Sequence, residues 1–365
     1  MGGDNTDIAI LLVVVGLRFI IPLFIPRFPL PAILACLVID AADQTIFQQF
    51  TNLNLDGYQN YDKALDIYYL TVAFLAVYRS WANTMAINVA RFLWYYRLVG
   101  VWLFEVTQHR WLLFVFPNTF EFYFIAIVAV RTMWDPRRLS NRAVLATAAF
   151  IWIFIKLPQE WWIHIAQNDF TDFMKETVFG VEASSSWGEG LTNRPLVTIA
   201  IVVAILGAAF LVLWFYRRAP EHDWPFTVDV DKPVPQVDVP EQPPLWLAPP
   251  FAEKLLLIGL TAAIFASVLD VEATLLQIVG ATIVIIVISL LVSESFARRG
   301  IEWRSIGVQF VVLGLVNAAV LSIYAQLFGD ELNRSLSLFF GLLLTMVIVL
   351  YDRFLGERAA NPSFS

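Results

Sequence analysis

IWIFIKLPQEWWIHIAQNDFTD, residues 151–172, is an apolar run that carries Lys156, Pro158, Glu160 and His164 toward its middle and far end. Lys156, Glu160 and His164 lie four residues apart, so on a helix they stack into one column of ammonium, carboxylate and imidazole. Charged groups at that depth in a bilayer are costly, face the protein interior, and mark functional sites by default. Reading the run this way makes the chain a membrane protein with a polar interior.

Composition points the same way. The 365 residues are 59% hydrophobic and 15% aromatic with only 15% charged, and the mean hydropathy is +0.68, outside the range of soluble domains. Several runs reach the ~20 residues that cross ~30 Å of hydrocarbon as a helix. Barrel strands alternate over about ten residues, and the run from Ile278 to Val292 does not alternate. A net charge of −7 argues against nucleic acid, which requires clustered Lys and Arg. Cys36 is the only cysteine, so an intramolecular disulfide and a thiolate metal site are both excluded. The first apolar run has an acidic flank and no small-residue cleavage site, unlike a signal peptide. MGGDNT fits the acylation pattern at Gly2 and Thr6, but the topology below puts that end outside, away from cytosolic acylation.

The expected fold is an all-α integral membrane protein with about 11 transmembrane helices. Spans fall near 8–25, 31–47, 63–81, a fourth ending at 106, 111–130, 151–172, 195–216, 251–269, 273–292, 306–328 and 336–351. Residues 1–216 then form a seven-span N-terminal bundle, 217–250 a Pro-rich acidic cytosolic linker or small strand-like lobe, and 251–365 a four-span C-terminal bundle. Cytoplasmic loops carry the excess of Lys and Arg. With the N-terminus outside and the C-terminus cytoplasmic, Arg27, Arg79 with Arg91, Arg131 to Arg142, Arg217 with Arg218, Arg298 to Arg304, and Arg353 with Arg358 share the inner side. The opposite loops are acidic, with Asp56, Asp62, Asp169, Asp172, Glu182, Glu189, Asp270, Glu272, Asp330 and Glu331. The weak stretch is 79–97, which can instead hold an interfacial helix. An amphipathic piece is expected near Phe170 to Phe179.

On that topology Asp40, Asp43, Asp66, Glu105, His109, Asn118, Glu121, Lys156, Glu160 and His164 lie between mid-membrane and the outer surface, where the first six spans enclose an outward-facing polar cavity with the site among spans two to six. Pro158 cannot donate to the carbonyl of Phe154, nor Pro117 to that of Leu113, so both spans kink beside polar residues, as in the broken helices of transporters. The plainer reading is a kink whose carbonyl is satisfied locally. Lys156 reads either as a structural ion pair with Glu121 or Glu160 or as a titrating group. His164, beside Trp161 and Trp162, reads as an interfacial histidine or a relay. His109 and His164 on neighbouring spans offer a remote haem option; no other cofactor is expected. Asp40 with Asp43, and Asp62 with Asp66, share helix faces and could hold a divalent cation, though solvated helix ends explain Asp43 and Asp62 as well. Arg91 and Arg97 are too few and too irregular for a voltage sensor. The nucleophile-elbow, P-loop and dinucleotide patterns are absent.

Three functions fit these features. The leading one is a proton-coupled transporter of a small solute or lipid in the cell membrane, with Lys156, Glu160 and Glu121 as its titrating core, Asp40 and Asp43 at the outer mouth and His164 as relay. The second is a membrane-embedded enzyme acting at the outer leaflet on a lipid-linked or envelope substrate. The third is a structural or assembly subunit of a larger complex, docking a protein partner at 217–250 and packing through the last four spans. Membrane lipids are partners in every case.

Overall fold

The computed structural model describes residues 5–51, 58–234, 250–268, 275–298, 306–328 and 334–360. Among these residues there are helices and no strands. The expectations placed on Gly2, Asp56, Asp270, Glu272, Arg299, Arg304, Asp330, Glu331 and residues 235–249 lie outside them.

The helices are α1 (Asn5–Ile20, tightening into a 3₁₀ turn at Ile21–Phe24), α2 (Pro29–Phe50), α3 (Tyr58–Ser80), α4 (Thr84–Thr107), α5 (Trp111–Val115) and α6 (Thr119–Arg131). Then come α7 (Asn141–Phe150), α8 (Leu157–Glu160), α9 (Phe170–Asp172), α10 (Trp187–Asn193), α11 (Pro195–Tyr216), α12 (Pro250–Val268), α13 (Leu275–Arg298), α14 (Ile306–Phe328) and α15 (Arg334–Ala360). Five stretches are long and apolar enough to cross a membrane: Thr6–Phe24, Trp111–Arg131, Asn141–Ile165, Pro195–Trp214 and Phe339–Gly356. An all-helical architecture with such helices defines an α-helical membrane protein.

Two boundaries depart from the sequence reading. The helix carrying the Lys156 column starts at Asn141, ten residues earlier than expected, because Ser140 caps it by accepting from the Ala143 amide at 3.2 Å. It ends near Ile165 rather than Asp172. Residues 84–107 are one continuous helix, so Arg91 and Arg97 do not belong to a separate interfacial piece. Asn83 starts that helix by accepting from the Ala86 amide at 2.9 Å.

Pro158 leaves its mark in the winding. The chain is π-helical at Ile151–Lys156 and again at Trp161–Ile165, on either side of α8. Wider turns shift the hydrogen bonds from the fourth to the fifth preceding residue, which absorbs the donor that proline lacks. The break at Phe116–Asn118 separates α5 from α6.

Helix α3 is the axis. From Ala64 to Tyr78 nearly every residue is buried, the mark of a helix surrounded on all sides by protein, and α1, α2, α4, α12 and α15 pack on it. Tyr68, Phe74 and Tyr78 on it and Trp94, Phe120, Tyr123 and Phe124 around it are fully buried, and such close aromatic packing, rather than water exclusion, holds helices together in lipid. The core continues into Leu257, Ile258 and Phe265 of α12 and Leu343, Val347 and Tyr351 of α15, so residues on both sides of the 217–250 segment share it. By contrast α11 is exposed on almost every face and packs on α10 alone among its stronger contacts.

The described part of the linker, up to residue 234, is turns, bends and irregular chain. It lies across the arginine-rich ends of α1, α3 and α6. Asp229 pairs with Arg27 at 3.1 Å, Asp231 with Arg79 at 2.7 Å, and Asp223 with Arg138. Backbone bonds from Thr227 to Thr132 (2.9 Å) and from Val230 to Arg27 (2.9 Å) complete this strap. Arg358 joins the same end by donating to the carbonyls of Tyr78 and Trp81 at 3.1 and 3.0 Å.

Candidate functional site

The break before α6 builds the centre of the site. With Pro117 in the turn, Asn118 precedes the helix with its backbone and side chain both free to point inward, and Glu121 enters in the first turn of α6. Tyr96 and Arg97 of α4 reach the carbonyls at the end of α5, donating to Val115 and Phe116 at 2.9 Å each. The broken helix is therefore satisfied by side chains rather than left open to lipid.

Lys156 and Glu160 are buried, 3% and 5% exposed, and face inward from the π-wound helix. The Lys156 ammonium lies 3.7 Å from Glu121 Oε2 and 4.1 Å from the centre of the Phe122 ring. Asn118 bridges the two acids: its amide side chain donates to Glu121 Oε2 at 3.0 Å and its backbone N–H to Glu160 Oε1 at 3.1 Å. His164 Nε2 meets Glu160 Oε2 at 3.0 Å. The hydroxyl of Tyr69, on α3, donates to Glu121 Oε1. Arg97 is within electrostatic reach of both acids, so two cations balance two carboxylates when His164 is neutral. His164 Nδ1, Asn118 Oδ1 and Thr119 Oγ1 are buried polar atoms with no hydrogen-bond partner among the described residues.

A second cluster adjoins the first. Arg18, near the end of α1 and 5% exposed, donates to Asp43 and Asp40 of α2 and to Asp62 and Asp66 of α3. Four carboxylates thus share one guanidinium, Asp43 buried with it and Asp40, Asp62 and Asp66 partly exposed. Asp40, Asp62 and Asp66 bring oxygens within 4.8 Å of one another, a spacing open to a divalent ion, and Arg18 already lies among them. Tyr69 stands one helical turn from Asp66 and feels the charges of Asp66 and Asp40 as well as that of Glu121. The two clusters thus meet at Tyr69.

Of the residues singled out in the sequence, the structure brings Lys156, Glu160, His164, Glu121 and Asn118 into one connected group, and Asp40 and Asp43 into the other. Glu105 stands apart, paired with Lys63 at 3.4 Å at the far ends of α4 and α3. His109 is exposed on the turn after α4, while His164 is engaged by Glu160, and these are the two residues on which the haem option rests. Arg18 and Tyr69 were missed. Arg18 had a visible signal, a lone arginine inside an apolar run; Tyr69 had none, since an aromatic residue in a buried helix reads as packing.

No family model, curated protein or solved structure matches the chain. The fold and site define a class, an α-helical membrane protein with a multiply charged interior, and the functional reading stands on these residues alone.

Proposed function

We propose that this chain is a proton-coupled transporter of a small solute or lipid in the cell membrane, with eleven spans, the N-terminus outside and the C-terminus in the cytoplasm. The strap and the converging arginines then face the cytoplasm, in keeping with the charge bias of membrane loops. One observation carries the reading: Tyr69 joins Glu121 to the neighbourhood of Asp66, so a line of polar groups runs from His164 through Glu160, the bridging amide of Asn118 and Glu121 toward Arg18. Protons enter at the acid-rich Arg18 cluster and reach Glu121 through Tyr69. Solute binds beside the α5–α6 break, where Asn118, Thr119 and His164 offer polar atoms.

The test is charge displacement by proteoliposomes on a solid support, challenged at several pH values with amino acids, sugars, organic acids and lipid headgroups. The wild type gives a pH-dependent current with at least one of them, and Glu121→Gln and Glu160→Gln abolish it. Currents unchanged by both variants sink the mechanism.

A membrane enzyme using a divalent ion is the second reading, favoured by the spacing of Asp40, Asp62 and Asp66. Stoichiometric Mn²⁺ binding that Asp40→Asn removes would support it over transport.

A further inference from the structure

A further buried acid lies outside the two groups just described, toward the Ser80 end of α3. Glu253, in the first turn of α12, is 3% exposed. Its Oε1 accepts from the Tyr78 hydroxyl of α3, from Tyr95 of α4 at 3.4 Å, and faces the Arg91 guanidinium of α4 at 3.2 Å. Tyr351 of α15 lies within electrostatic reach, and next along α12 Lys254 pairs with Asp352 of α15 at 2.7 Å. Glu253 Oε2 is buried with no hydrogen-bond partner among the described residues. A carboxylate oxygen in that position is costly unless something is donated to it.

Between this acid and Tyr69 stands an aromatic plug. Phe74 is fully buried, 5.3 Å from the Tyr78 ring, 5.6 Å from Tyr95 and 6.1 Å from Phe120, the neighbour of Glu121. Trp94 closes the same layer, 5.3 Å from Phe120 and 6.1 Å from Phe74. Along α3, Tyr69 and Tyr78 are about 14 Å apart at ~1.5 Å per residue. Rings filling that distance exclude the water that a proton would need.

We propose that Glu253 is an inner protonation station, separated from the outer chain by the Phe74 layer. The inference rests on the proton-coupled reading of the outer chain. When the layer opens, a proton leaves the Glu121 carboxyl and forms an O–H bond at Glu253 Oε2; it then departs to the cytoplasmic side, regenerating the carboxylate that Arg91 balances. Because Glu253 hydrogen-bonds α3 and pairs with α4 from α12, its protonation weakens a contact between the segments on either side of the linker and so couples proton passage to their relative movement.

The experiment uses protons as the probe. Full-length protein is reconstituted into vesicles loaded with a pH-sensitive dye, an acid pulse is applied outside, and a potassium carrier compensates charge. Wild type acidifies the lumen little faster than protein-free vesicles; Phe74→Ala acidifies it several-fold faster. The leak disappears in Phe74→Ala with Glu253→Gln and also in Phe74→Ala with Glu121→Gln. A leak that survives Glu253→Gln but not Glu121→Gln overturns the inner station and leaves the outer chain standing. A leak indifferent to both overturns the outer chain as well. Phe74→Leu is measured beside Phe74→Ala so that a folded variant is in hand, and a folded variant with no leak overturns the plug and the proposal with it.

Discussion

Lys156 on the π-wound helix and Glu121 at the start of α6 face each other across the break in the fifth helix, 3.7 Å between ammonium and carboxylate, both at least nine-tenths buried. Each is the other's main compensation for lying in the membrane. Removing one partner leaves a buried charge unopposed, which costs about 3–5 kcal/mol where such pairs have been broken. Lys156→Met and Glu121→Gln are therefore each expected to lower the thermal unfolding midpoint in detergent substantially, and the double variant to recover most of the loss. Losses that simply add would show that the two groups do not interact.

Arg18 is predicted to be the least replaceable charge in the chain. Arg18→Gln leaves Asp40, Asp43, Asp62 and Asp66 facing one another without their shared cation. The expected result is poor yield and a lowered unfolding midpoint, partly restored by Asp43→Asn in the same background. Asp43→Asn alone should be mild, since three acceptors remain. A well-behaved Arg18→Gln protein would show that the cluster does not depend on its arginine.

Gly100 is where α4 lets the chain of the α5–α6 break pass. A Cβ there would collide with the Phe116 side chain. Gly100→Ala must push Phe116, and with it the carbonyl bonded to Arg97, out of place. Overpacking of this kind costs about 1–3 kcal/mol. Pro-linked backbone on the other side leaves little room for relief, so the upper part of that range is expected in thermal unfolding; an unchanged midpoint would mean that the break shifts freely.

The strap of residues 223–231 is held by charge. Arg27 beside Asp229 keeps its carboxyl below the ordinary carboxylate range, which lies near ~3.9 for aspartate. A carboxyl depressed in the folded chain contributes stability above its unfolded value, and the contribution is lost only as pH falls through the lowered one. Mild acid should therefore leave the strap closed, whereas salt, which screens exposed pairs, should loosen it. Thr227, within the strap, is buried. In a Cys36→Ser background, Thr227→Cys should react slowly with a water-soluble maleimide, faster at high salt and faster still with Asp229→Asn, all rates normalised to the unfolded chain. Labelling that ignores both salt and Asp229→Asn would show that the backbone bonds alone hold the segment.

Much of this arrangement was legible in the residues themselves. The four-residue spacing of Lys156, Glu160 and His164 predicted one inward column, and the structure shows it, because helical periodicity is local and charge burial leaves few alternatives. The break at Pro117 and Asn118 was legible for the same reason. What escaped depends on tertiary contact. The partners of Arg18 come from two other helices, so its role could not be read from its own run. Tyr69 differs from packing aromatics only by the acid that its hydroxyl meets. Ser140 and Arg142 read as a loop because their polarity outweighed a capping signal worth about 1 kcal/mol, which displaced the start of the helix by ten residues. Glu253 fell inside the span expected at 251–269 and was not singled out, because its partners come from α3 and α4.

The central claim is that the column faces protein and not lipid, and an accessibility scan of single nitroxide labels in liposomes tests it most directly. Labels at Ile151, Ile153, Phe154, Lys156, Glu160 and Trp161 are compared for collisions with oxygen, which dissolves among acyl chains, and with a water-soluble nickel chelate. The account predicts high oxygen accessibility at Ile153, Phe154 and Trp161, which are 52%, 68% and 48% exposed, and low oxygen accessibility at Ile151, Lys156 and Glu160. Oxygen accessibility peaking at Lys156 and Glu160 would contradict it.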